Sequence, residues 1–206
     1  MGGNWRRSVI GILVAVTAAI GLSAGSMARA QTEDLKDWRA GPSDDAVMEI
    51  GQRFDCVGPD CPTGLSCLYA LGPNRPPGSW PVTTEFMLDE EKMPWSDFEF
   101  WLVAKAKALR PVLADDPLVR SDRFARRTPA TAVDLESGEY VTRSYGIVSK
   151  RNSYMLPAYF WTVKGRLAVM FCVHAPSVEV ARQARPQIGA LLQYLRPEES
   201  EDADES

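Results

Sequence analysis

The stretch Ser153–Ala175, SYMLPAYFWTVKGRLAVMFCVHA, constrains this chain more than any other. Two runs rich in aromatic and β-branched residues flank Lys164-Gly165, and the glycine supplies the positive φ that a two-residue hairpin turn needs. That turn sets the register: Trp161 faces Ala168, Tyr159 faces Met170, Cys172 faces Pro157 and His174 faces Met155. Because side chains alternate along a strand, one face gathers Leu156, Ala158, Phe160, Leu167, Val169, Phe171 and Val173, and that face is core. The other gathers Met155, Tyr159, Trp161, Val163, Met170, Cys172 and His174. It is apolar enough to need a cover and polar enough at its edges to bind something.

The four cysteines set the redox context. Trp5-Arg6-Arg7 precedes an apolar run from Val9 to Leu22, too short to span a bilayer, and Ala28-Arg29-Ala30 has the small-x-small pattern of a signal peptidase site. Residues 1–30 are therefore expected to be a signal peptide cleaved before Gln31, for a periplasmic or secreted protein. Arg6-Arg7-Ser8-Val9-Ile10 also admits twin-arginine export, with Trp5 in place of the usual hydroxyl residue. In such a compartment Cys56, Cys61, Cys67 and Cys172 favour two disulfides. The Gly58-Pro59 turn brings Cys56 and Cys61 together and leaves Cys67 for Cys172, a long bridge expected to lay the cysteine-rich segment over the second face of the hairpin.

Export also changes the charge. Removing Arg6, Arg7 and Arg29 lowers the 23 Lys+Arg by three against 27 Asp+Glu, so the net charge moves from -4 to -7. Six of the acids fall in residues 198–206, EESEDADES, an expected disordered tail. The rest is near neutral, without the basic footprint that nucleic acid demands. With residues 1–30 gone, one domain is expected over 56–197, preceded by a segment over 31–55 holding a short helix. Ser43 or Asp44 would cap that helix, with Val47, Ile50 and Phe54 at helical spacing.

Prolines and glycines make most of residues 56–80 loop, with one short strand over Ser66–Leu71. Val82–Leu88, VTTEFML, has strand composition. Ser96-Asp97-Phe98-Glu99 reads as a capping box, with Trp95 and Phe100 as the hydrophobic staple and Phe98, Leu102, Ala106 and Leu109 as the buried stripe. Arg110-Pro111 stops that helix. Glu139–Val148 alternates as a strand, and Lys150-Arg151-Asn152 turns the chain into the hairpin, giving a three-strand antiparallel meander. Ser177–Leu195 places Val178, Ala181, Ala184, Ile188, Leu191, Leu192 and Leu195 on one helical stripe, with a kink or break expected near Gln183 because of Pro186.

Catalytic signatures are scarce. His174 is the only histidine, and no Gly-x-Ser-x-Gly elbow, phosphate-cradling loop or haem attachment motif is present. The chain thus reads as a protein without catalytic activity or cofactor. The competing reading is a small periplasmic enzyme or a copper-handling protein centred on His174, with Cys172, Met170 and Met155 as soft ligands on the same face. Tyr159 and Trp161 offer a partner surface, but the preferred reading is a second core layer under the stapled segment, with Trp161, nearest the turn, the hardest to cover. The arginine cluster Arg120, Arg123, Arg126 and Arg127 offers a second surface for an anion or an acidic partner, but with Asp115, Asp116 and Asp122 beside it the preferred reading is a solvated, salt-bridged face.

The turn Pro77-Gly78-Ser79-Trp80, followed by a strand, a helix, an antiparallel meander and a closing helix, resembles the PsbP-type α/β/α sandwich. That fold is shared by the photosynthetic extrinsic subunit and by bacterial periplasmic proteins of the DcrB type. The resemblance covers residues 66–196 and rests on element order; the cysteine-rich segment and Pro186 depart from it. It implies a non-enzymatic accessory or binding protein and carries over no functional residue. The expectation is therefore an α+β domain, its antiparallel sheet covered by helices and stapled by disulfides, acting on a protein partner in the cell envelope with no membrane span in the mature chain.

Overall fold

The turn at Lys164-Gly165 is where the chain doubles back most tightly, and both residues take left-handed backbone conformations, with φ of 51° and 74°. In the computed structural model, which describes residues 35–43, 48–73, 82–109, 123–148 and 153–196, this turn joins β7 (Ser153–Val163) to β8 (Arg166–Val173). The hairpin has the expected register, with Trp161 opposite Ala168 and Tyr159 opposite Met170, and its ladder runs as far as Ala158 opposite Phe171. Pro157, which has no amide to donate, is the next residue along.

Around this hairpin the sheet grows in both directions. On one side β6 (Gly138–Val148) pairs with β7, and the outer edge of β6 is shared by β5 (Thr131–Leu135) and the two-residue β4 (Arg126–Arg127). On the other side β3 (Ser66–Leu71) pairs with β8, followed by β2 (Ile50–Cys56) and β1 (Trp38–Pro42). Every pairing is antiparallel, and the described sheet has eight strands. The central strand β8 is thus the seam between an amino-terminal meander, β1 to β3, and a carboxy-terminal one, β5 to β8.

Three corrections follow. The short helix expected over residues up to Phe54 is not formed at its described end: Ile50–Cys56 is a strand, and Trp38–Pro42 and Ile50–Cys56 are the first two strands of the described sheet; residues 44–47 lie outside the described residues. Val82–Leu88 is not a strand, because Thr83 accepts a hydrogen bond from the Phe86 amide and starts α1 (Thr84–Leu88). Nor does α2 begin at a Ser96 box. It spans Trp95–Leu109, with the Pro94 carbonyl accepting from the Asp97 and Phe98 amides. Phe100 is 75% exposed, so Trp95 packs edge-to-face on Phe160 of the sheet and not on Phe100. The stripe Leu102, Ala106 and Leu109 is buried as expected.

Both sheet faces are covered. Helices α1 and α2 bury Phe160, Val169, Phe171 and their neighbours in one layer. The opposite layer holds Trp161, Met170 and Cys172 under α3 (Val178–Leu195). The cover of the second face is therefore α3, through Ala184, Ile188, Leu191 and Leu192, and not the cysteine-rich segment. Ser177 caps α3, which runs without a break through Pro186; Pro186 is solvent-exposed, and Val178 at the first turn lies off the buried stripe. Trp161 is 2% exposed, stacked on Tyr69 and edge-on to Tyr140, which overturns its assignment as the residue that escapes cover.

Both expected disulfides are present, Cys56–Cys61 and Cys67–Cys172. Cys67 and Cys172 lie directly opposite one another on β3 and β8, so the bridge crosses the seam between neighbouring strands. Two disulfides are the chemistry of an oxidising compartment. Among the described residues no helix is long and apolar enough to cross a membrane. The expected leader, Trp80, Arg120 with its neighbouring acids, the expected turn at Lys150-Arg151-Asn152 and the acidic segment 198–206 all lie outside the described residues.

Candidate polar cleft

Alternation along β6 points Val141, Arg143 and Tyr145 to the same side, into the layer beneath α1 and α2. Val141 and Tyr145 fit that apolar environment. Arg143 does not, and at 4% exposure its guanidinium needs a counter-charge. The loop between α1 and α2 provides one. Asp89 ends α1, and its carboxylate accepts from the Glu91 and Lys92 amides, folding the chain back on itself. Glu90 then reaches the sheet: both of its oxygens lie 2.7 Å from Arg143 Nη1, and Oε1 also accepts from the Ala130 amide at 2.8 Å. The Arg143 guanidinium lies 4.6 Å from the centre of the Trp95 ring, a cation–π contact.

A second ion pair stands beside the first. Arg127 on β4 donates to Glu99 on α2 at 2.7 Å. Together the loop, the first turn of α2 and the β4–β6 edge enclose an open cleft of about 380 Å³, whose lining includes Glu90, Glu91, Trp95, Glu99, Arg127 and Arg143. Three buried donors next to it, Trp95 Nε1, Arg143 Nε and Tyr145 Oη, have no hydrogen-bond partner among the described residues. Burial pushes the Tyr145 hydroxyl above its ordinary pKa, and the charges of Arg143 and Arg127 only partly oppose that. Desolvation acts to raise the Glu90 pKa too. The Ala130 amide, the Arg143 hydrogen bond and the charges of Arg143 and Arg127 outweigh it and hold Glu90 below the ordinary carboxylate value.

The residues singled out from sequence are dispersed. Arg127 lines the cleft, while Arg123 and Arg126 are exposed outside its lining. Tyr159 is half-buried and Trp161 buried on the opposite sheet face, so neither joins the arginines in one surface. The soft-metal set is also undone. The Cys172 sulfur is bonded to Cys67, and Met170 is packed in the core under α3. The His174 ring, 2% exposed, donates from Nδ1 to the Ala175 carbonyl at 2.8 Å.

Arg143 and Glu90 escaped the sequence reading. The signal for Arg143 was present, since a cation between Val141 and Tyr145 on a strand's inward face demands a partner. Nothing local marked Glu90, which comes from a loop 53 residues away. No model of a known protein family matches this chain, and neither does any curated protein sequence.

Proposed function

We propose that this chain is an exported, non-enzymatic accessory protein of the cell envelope that works by binding a protein partner, with the cleft between the α1–α2 loop and the β4–β6 edge as its contact surface. The observation that carries this reading is the chemistry of the cleft. Glu90 and Glu99 are each tied to an arginine, and neither histidine nor cysteine appears among the described lining residues. Paired charges around an open, polar hollow favour recognition and registry over proton transfer. Export is supported by the leader-like amino terminus, with cleavage proposed before Gln31, and by two disulfides. Helices layered on both faces of an antiparallel sheet are the arrangement that the resemblance to the PsbP-type sandwich implies, and that resemblance in turn implies an accessory, binding role.

A photo-crosslinking residue at Ser96 on the cleft wall, carried by the protein in its own cell envelope, tests the reading. A discrete protein adduct from position 96, and none from the same residue at Glu136 in the β5–β6 turn, is expected. Adducts from Glu136 alone, or from neither position, would overturn it.

A further inference from the structure

We infer that the outward face of α2 is the contact surface of a homodimer, in which two copies of this chain lay their α2 helices antiparallel about a two-fold axis over Leu102. The inference goes beyond the cleft reading and does not depend on it. Leu102 is fully buried, so the opposite side of the helix points away from the core. At the helical repeat, Asp97, Phe100, Ala104 and Lys107 project within about 40° of that outward direction. The exposed residues of α2 are Ser96, Asp97, Phe100, Ala104 and Ala108, while Lys107 is partly buried. Phe100, 75% exposed in mid-helix, is apolar surface with no cover among the described residues.

The order of these residues identifies the occupant. A two-fold axis over Leu102 sets opposite each other the residues that lie equally far before and after it, and every such pair occurs twice. Phe100 then faces Ala104, so the bulky ring meets a side chain small enough to leave room for it. Asp97 faces Lys107, which brings opposite charges together at both ends of the contact. Ser96 faces Ala108, two small side chains that let the helices approach. Each exposed position of α2 therefore meets a complement on the second copy. A parallel pairing would instead set Asp97 on Asp97 and Lys107 on Lys107, which like charges oppose. In the antiparallel arrangement the two Phe100 rings flank the axis at the centre of the contact, where an aromatic anchor contributes most.

Sedimentation equilibrium of the purified, disulfide-bonded protein, from about 1 μM to about 1 mM, tests the inference. The mass is expected to rise from one chain towards two with concentration. Phe100→Ser, at an exposed position compatible with folding, should hold it at one chain. Asp97→Lys or Lys107→Asp alone sets like charges opposite each other twice and should weaken association about tenfold. Both substitutions in one chain, or an equimolar mixture of the two single variants, restore opposite charges at both ends and should bring association back to within about threefold of wild type. The mixture also checks folding, because two variants that each associate poorly with themselves must then associate with each other. A single-chain mass at every concentration, an undiminished dimer in Phe100→Ser, or no recovery in either the double variant or the mixture would each overturn the inference. In the crosslinking experiment a dimer product from position 96 has twice the mass of one chain, which separates it from an adduct with a different partner.

Discussion

A guanidinium cannot sit in an apolar layer unless a counter-charge comes with it, and Arg143 draws its own from the α1–α2 loop. The two partners are unequally placed: the Arg143 side chain is 5% exposed and the Glu90 side chain 44%. Removing the carboxylate therefore strands a buried cation, whereas removing the arginine leaves an acid that water can solvate. Glu90→Gln is expected to lower stability at pH 7 by about 1–3 kcal/mol, and Arg143→Met by less than its cavity and polar losses alone would give without that relief. The pH dependence has a definite sign. The Glu90 pKa is lowered in the folded protein relative to its ordinary value of 4.5. Its stabilisation is then complete above 4.5 and is lost as the pH falls through the folded pKa. Urea unfolding should show a wild-type advantage over Glu90→Gln that is full at pH 7 and shrinks below 4.5; an advantage that grows on acidification would refute the assignment.

At the scale of elements, what could be read from sequence depended on whether a pattern had one physical solution. Lys164-Gly165 admitted one turn and one register, so β7 and β8 were legible residue by residue, and the inward alternation of β6 followed from them. Ile50 and Phe54 were ambiguous, because residues four apart share a face in a strand as well as in a helix. Tertiary pairing with β1 and β3 decided for the strand. In Val82–Leu88 the β-branched composition was outweighed by one hydrogen bond, from the Phe86 amide to the Thr83 hydroxyl. The same reasoning separates two hydroxyl residues. Thr83→Ala should destabilise by about 0.5–2 kcal/mol, because it removes the cap of α1. Ser96→Ala, in a helix that already starts at Trp95, should stay within about 0.5 kcal/mol of wild type. Equal losses from the two substitutions in chemical unfolding would show that the helix start is misplaced. The identity of the second cover was illegible for a different reason: α3 and the cysteine-rich segment both had apolar residues to offer, and only the sheet order puts the latter in the plane.

For the whole molecule, the decisive contact is the seam between β3 and β8, where two meanders far apart in sequence become one sheet. Cys67 and Cys172 close a loop of 105 residues across it. On the chain-entropy model such a bridge stabilises by about 4–5 kcal/mol, comparable to the whole margin of many domains. It also restricts where the chain can fold, since only an oxidising compartment makes and keeps it. The cleft depends on that seam indirectly, because its walls belong to elements packed on the joined sheet: α2, the α1–α2 loop and the β4–β6 edge. The central claim is that the chain is locked covalently across β3 and β8, and peptide mapping without reduction, on protein isolated from its own cells, tests it most directly. The expected result is a fragment joining Cys67 to Cys172 and another holding Cys56 with Cys61. Four free thiols, or Cys172 joined to Cys56 or Cys61, would contradict it.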